Sequence, residues 1–146
     1  MSDQSLLLVT VAGELAGIES AIIRSVVELD AITPVPRAPE HIAGLAALRS
    51  RAMTVVDCRR SLELAPLECA GKSLAVVVEV DEYLYALVVD AVEEVVPLEG
   101  DPTEVRADLL PGWSRAALGM VETTVGPALM LDPAKLIEGP AKREAA

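Results

Sequence analysis

Short apolar runs rich in Val, Leu and Ile recur along the whole chain, and turn-forming residues soon end each of them. That rhythm predicts strands packed as a sandwich or barrel rather than alternating strands and helices. The candidate strands are Ser5 to Val11, Leu15 to Ile18, Ser25 to Leu29, Ile42 to Leu48, Ala52 to Val56, Leu74 to Val80, Tyr83 to Val89, Glu93 to Leu98, Ala116 to Glu122 and Gly126 to Met130. Ala12-Gly13 and Val80-Asp81-Glu82 fall between apolar runs, as hairpin connections do.

Helical signals are few. Glu19 to Arg24, with Ile22 and Ile23 able to face inward, predicts a short turn of helix between strands. The C-terminal signal is stronger: Asp132 as a cap, Pro133 at the first helical position, Leu136 and Ile137 as an apolar face, and Gly139-Pro140 as the stop. Residues 141–146 read as a flexible tail. Leu64 to Gly71 and Gly100 to Gly112 read as connectors, neither polar enough for an interdomain linker. No internal repeat is visible in the sequence.

At 146 residues with 52% hydrophobic and 24% charged content, the chain suits one compact unit or two small lobes sharing a core. It has no Phe, and Trp113, Tyr83 and Tyr85 are its aromatics, so the core must be interdigitated from smaller side chains. A formal net charge of −11 opposes contact with phosphate backbones and anionic lipid surfaces, leaving a protein as the expected partner rather than nucleic acid. The same charge keeps an apolar chain soluble, and that role outweighs steering. Met1 to Gln4 lacks the positive start of a signal peptide and the apolar runs are too short to span a bilayer, so the expected compartment is the cytosol without membrane insertion. Cys58 and Cys69 are expected there as reduced thiols.

Catalytic constellations are sparse. His41 is the only histidine, which excludes multi-histidine metal sites, and a thiol nucleophile would need His41 to meet Cys58 or Cys69 in space. Phosphate-binding, dinucleotide-binding, serine-hydrolase and zinc-protease motifs are absent, so no catalytic residue, metal or cofactor is expected. Arg49, Arg51, Arg59 and Arg60 form a cationic island in an acidic chain. It can pair with carboxylates on a partner, or internally with Asp57 or Glu63. Trp113 reads equally as an interface anchor or as a lid over the core.

The run Ile32-Thr33-Pro34-Val35-Pro36 through Gly44-Leu45-Ala46-Ala47-Leu48-Arg49-Ser50 to Val55-Val56-Asp57-Cys58-Arg59 resembles the central motif of CheW-like domains. That motif is Thr-Pro-x-Pro, a strand opened by Gly and closed by Asn-Leu-Arg-Gly, and a strand ending Pro-x-x-Asp-Leu-Arg. Ala16-Gly17-Ile18 with Ile23 and Val26, Ala86 to Val92, and Leu129 to Ile137 resemble its opening, Val-Asp-x-Val and closing segments, so the likeness covers nearly the whole chain. The sequence departs at Ala47 for Asn, Ser50 for Gly, Thr54 for Pro, Cys58 for Leu, and Ser25 for a Glu of the short helix. Ser50 bears on the hairpin turn, because Gly there would adopt positive φ freely, so Ser implies a different turn or strain.

The resemblance implies a mostly β fold spanning residues 1–146: two intertwined, five-stranded SH3-like barrel lobes sharing a core, with short helices and one at the C-terminus. It implies a non-enzymatic adaptor that joins the regulatory domain of the histidine kinase CheA to the cytoplasmic tip of a chemoreceptor, at membrane-associated arrays. It places partner contact at Val26, Gly44, Leu48, Arg49 and Ser50, with Arg49 gripping a carboxylate, and assigns Asp57 and Arg59 to bracing the hairpin. A spacer or inhibitor binding one of the two partners, and a small thiol enzyme using Cys58 and His41, are the alternatives.

Overall fold

The computed structural model describes residues 4–64, 73–98, 100–104 and 109–140. Cys69, most of the Leu64 to Gly71 connector and the 141–146 tail lie outside them. The chain forms β1 (Ser5–Val11), β2 (Glu14–Glu19), a 3-10 turn (Ser20–Ile22), β3 (Ile23–Leu29), β4 (Ile42–Leu48), β5 (Arg51–Asp57), α1 (Cys58–Ser61) and β6 (Ser73–Val80). It continues through β7 (Tyr83–Val88), β8 (Ala91–Pro97), α2 (Pro111–Ala116), β9 (Ala117–Thr123), β10 (Gly126–Leu131) and α3 (Pro133–Glu138). All ten expected strands are present, in two five-stranded sheets ordered β8-β1-β2-β10-β9 and β3-β6-β7-β5-β4.

The two sheets repeat one topology that the sequence hides. In each, a tight hairpin (β1–β2 or β6–β7) carries an antiparallel strand on its first arm (β8 or β3) and a parallel strand on its second (β10 or β5). The outermost strand (β9 or β4) precedes the parallel one in the chain and pairs with it through a hairpin turn. Even the irregularities correspond. Gly44 on β4 has φ +150° and Gly119 on β9 has φ +155°. Thr33 and Thr103 bridge to the residues that follow those glycines, Leu45 and Met120. The chain enters the first sheet, builds the whole of the second, and returns.

The central strands bury both faces, which explains their unbroken apolar runs. On β1, Leu6 and Leu8 pack inside the first lobe, while Leu7, Val9 and Val11 face a core shared with the second. On β6, Ala75 and Val77 fill the second lobe and Val76 and Val78 join the shared core. The outer strand β3 alternates half-buried and exposed instead, and only Leu29 at its end is buried. Trp113 is buried in the shared core, so it is the lid and not the exposed anchor.

Three local expectations need correction. The Glu19 to Arg24 helix shrinks to the 3-10 turn and β3 starts at Ile23, so Ser25 lies on a strand. The helix α2 occupies the end of the Gly100 to Gly112 connector and takes Ala116 from the expected ninth strand. Pro111 at its first turn was the available signal; Gly112 obscured it, yet Gly is needed there because a Cβ would come within 1.9 Å of the Leu62 carbonyl oxygen. The helix α1 was unforeseen, and the Asp57 carboxylate nucleates it by accepting from the Arg59 and Arg60 amides at 3.0 and 3.3 Å.

Asp90, in the β7–β8 connection, ties the lobes together. Arg59 at α1 donates to it from Nε at 2.9 Å and from Nη2 at 2.5 Å, and the Ala12 amide of the β1–β2 turn donates at 2.9 Å. Both side chains of the ion pair are 19% exposed. Arg59 thus links α1 to the β7–β8 connection, where its guanidinium grips the Asp90 carboxylate. The Arg59 hydrogen bond holds the Asp90 carboxyl below its ordinary range, with the Ala12 amide assisting and burial opposing. Because the folded pKa is depressed, this stability is present above the unfolded pKa and is lost as pH falls through the folded one. Asp90→Asn is therefore expected to cost about 2 kcal/mol at pH 7 by urea denaturation. The gap to the wild type should narrow as pH falls below about 4.

Candidate protein-binding surface

The β4–β5 hairpin pairs Leu48 with Arg51 and turns through Arg49 and Ser50, whose φ angles are +48° and +71°. Both turn residues are left-handed, the mirrored geometry that matches strand twist and ordinarily takes Asn-Gly. Asp81 and Glu82 adopt the same form between β6 and β7, at +51° and +71°. Ser50 therefore keeps the turn that a Gly would make and carries the strain, rather than substituting a different turn.

β3 and β4 end the second sheet's strand order and do not pair with each other, so the barrel stays open between them. A cleft of about 510 Å³ occupies that opening, lined from β3 by Arg24, Ser25, Val26 and Val27 and from the hairpin by Leu48, Arg49 and Arg51. Val77, Glu79 and Leu84 complete it. The fold thus brings Val26, Leu48 and Arg49 together, with Ser50 beside Arg49 in the exposed turn. Gly44 is not at this cleft. It is buried at the bulge in β4, where a Cβ would come within 2.2 Å of the Thr33 carbonyl oxygen, so it shapes the strand through its backbone.

The cationic island splits in two. Arg49 and Arg51 stand at the hairpin end of β5, while Arg59 and Arg60 lie past its other end, on Asp90 and Glu40 respectively. Arg24 replaces the second pair at the cleft, and it lies 3.7 Å from Glu79. Arg49 and Arg51 have no ion-pair partner among the described residues, leaving positive charge at the mouth of a cleft in a chain of net charge −11. Arg24, Ser25 and Glu79 were missed by sequence reasoning, since they are distant from the hairpin in the chain; alternation along β3 was the one available signal.

The residues that suggested chemistry serve structure instead. The Cys58 thiol is fully buried, and desolvation, with Asp57 and Asp90 adding to it, pushes its pKa far above the ordinary thiol value. His41 is buried and its Nε2 lies 2.8 Å from the Ile137 carbonyl oxygen, which can only accept, so Nε2 carries the proton. Ser61 Oγ donates to the Leu136 oxygen at 2.7 Å and Arg115 Nη1 to the Lys135 oxygen at 2.6 Å. Three side chains from separate segments thereby bond successive carbonyls at the end of α3; the Lys135 oxygen also accepts from the Gly139 amide at 3.0 Å.

Ser50→Gly is expected to raise stability by about 1 kcal/mol, read from the denaturation midpoint, by removing left-handed strain. Iodoacetamide should leave Cys58 unmodified in the folded chain and alkylate it in urea; rapid labelling located at Cys58, rather than Cys69, in the native protein by peptide mapping would contradict its burial.

Residues 5–141 match the CheW-like domain family. The chain is 23% identical over 143 residues to the chemotaxis protein CheW of Treponema pallidum (strain Nichols), covering 93% of this chain and 84% of that one. Its fold is similar to the crystal structure of the scaffolding protein TtCheW from Thermoanaerobacter tengcongensis, with a TM-score of 0.82, 23% identity and 97% of each chain covered. The extent of the family match, taken with two five-stranded lobes around a common core, is decisive: the chain belongs to the CheW-like domain family.

Proposed function

We propose that the chain is a non-enzymatic adaptor, its residues 1–146 acting as one CheW-like domain that couples the cytoplasmic tip of a chemoreceptor to the regulatory domain of the histidine kinase CheA. It works in the cytoplasm at membrane-associated receptor arrays, without cofactor, nucleic acid or membrane insertion of its own. The observation that carries this reading is the open cleft between β3 and the β4–β5 hairpin, where Arg49 and Arg51 remain unneutralised beside half-exposed apolar side chains. An apolar floor with flanking charge is the make-up of a protein-binding patch, the charge supplying specificity and association rate. Val26, Leu48, Arg49 and Ser50 form the contact surface in this proposal, Gly44 holds β4 in shape behind it, and Asp57 and Arg59 keep the hairpin's base and the lobes in register. Catalysis is disfavoured because Cys58 is held as a thiol by burial and His41 is committed to α3. The names of the two relatives, a chemotaxis protein and a scaffolding protein, point the same way.

The test is reconstitution from purified parts, titrating a receptor tip fragment and the kinase regulatory domain separately and then together. Arg49→Glu is expected to weaken binding of at least one partner by about tenfold, or roughly 1.4 kcal/mol, with the melting temperature nearly unchanged. Binding of neither partner by the wild type would overturn the adaptor reading. Binding of one alone would make the chain a spacer or inhibitor.

A further inference from the structure

The helix α3 is held at its two ends by different means. At its start the Asp132 amide donates to the Ala116 carbonyl at 2.8 Å, the Asp132 carboxylate accepts from the Ala134 amide at 3.0 Å, and Pro133 fixes the backbone angle. This end continues β10 and belongs to the first lobe. The far end is gripped at its Lys135, Leu136 and Ile137 carbonyls by Arg115, Ser61 and His41. His41 immediately precedes β4 and Ser61 ends α1 behind β5, so two of these three come from the second lobe. Arg115 is the hub, reaching the Ser61 carbonyl at 2.7 Å and its Oγ at 3.3 Å as well. Apolar anchorage is slight: Leu136 is the one buried side chain of α3, and Ala134, Lys135 and Glu138 are exposed. Closure also carries a cost. Arg115 has no carboxylate partner among the described residues, and its Nε is buried without a hydrogen bond. The helix-end carbonyls favour the guanidinium, while the unmet donor opposes its burial.

We propose that α3 is a strap between the lobes that opens as a unit, pivoting at Asp132 and Pro133 while its far end leaves Arg115, Ser61 and His41 and both sheets stay folded. Opening gives up one buried side chain and three hydrogen bonds, and it returns the Arg115 Nε to water. Elements anchored so lightly are the ones that open below the global unfolding free energy. A closed strap fixes the lobes across their shared core, which Leu136 and Trp113 both help to fill. With the strap open, the lobes stay joined through the contact of Arg59 and the Ala12 amide with Asp90, and they can shift about it. Arg115 is the positioning residue of this device, since it acts through the carbonyls that it holds. The strap goes beyond the adaptor reading and is independent of it, because it concerns how the lobes are joined and not what they bind.

The test is native-state hydrogen exchange on the ¹⁵N-labelled full chain. It follows Leu136 and Gly139 in the strap, Val76 and Leu87 in the paired central strands, and Ala12 at the Asp90 contact. After correction for intrinsic rates, the two strap amides should exchange together, at least about tenfold faster than Val76 and Leu87, with little dependence on low urea. Val77→Ala, inside the second lobe, should speed Val76 and Leu87 and leave the strap amides unchanged. Arg115→Ala should speed the strap amides by about tenfold and carry Ala12 with them. Arg115→Lys, which keeps the charge and loses the forked contact, should fall between. If Arg115→Ala does not fold, Ser61→Ala removes one bond of the clasp and is read the same way, with a smaller rise. Strap amides that match Val76 and Leu87 in rate and urea dependence, or that quicken in Val77→Ala, would overturn independent opening. An Ala12 rate unmoved when the strap amides quicken would overturn the role between lobes.

Discussion

Burial of both faces of the central strands is the constraint on which the molecule depends. β1, β5, β6, β7 and β10 each send alternate residues into a lobe interior and into the core between lobes. Strands in that position can carry no functional polar side chain without burying it, and burying an unpaired polar group is costly. Function is thereby driven outward, to the turns and to the outer strands β3, β4, β8 and β9, where one face remains wet. The cleft lies between two of those outer strands because there the lobe's barrel is left open.

The strand count and nearly every strand position were legible, because an apolar run of strand length between turn residues has few other meanings. What stayed hidden was whatever depended on pairing across distance. The helix α1 owes its existence to one carboxylate of Asp57, and the Arg59 partner, Asp90, is 31 residues away. The site was legible by half: Leu48, Arg49 and Ser50 are adjacent in the chain, and the family likeness drew attention to them. Ser25 was noticed as a departure in the family's short helix although the apolar pattern placed it on a strand, and Arg24 and Glu79 carried no signal until the fold set β3 and β6 beside the hairpin.

The twofold repetition of the lobes lets one turn be compared with its counterpart in the other lobe. By register, the counterpart of the Leu48–Arg51 closing pair is Thr123 with Gly126. There the turn is closed by the Thr123 hydroxyl, which donates to the Gly126 carbonyl at 2.6 Å and accepts from the Val125 amide at 3.2 Å, and neither turn residue is left-handed. One lobe thus secures its turn with a side chain. The other spends no side chain on it, takes the strained backbone form, and leaves Arg49 pointing free. Strain retained at a site that the scaffold over-determines is a recurrent mark of function.

The distribution of reactive residue types leads to the same place. His41, Ser61 and Arg115 come from three segments and converge on successive carbonyls at the end of α3, while Gly139 turns the chain against the His41 ring, where a Cβ would come within 2.2 Å. Asp57 caps a helix, Cys58 fills the shared core, and Asp90 with Arg59 clamps the lobes. Most of these groups are bonded within the fold or sealed from solvent, although the Arg115 Nε is buried without a hydrogen-bond partner among the described residues. Among the described residues, Arg49 and Arg51 at the cleft have no ion-pair partner, and the Ser25 hydroxyl on its β3 wall is buried without a hydrogen bond. Reactive residue types are thus spent largely on holding the two lobes together, while the uncompensated charge of Arg49 and Arg51 stands at the mouth of the open barrel.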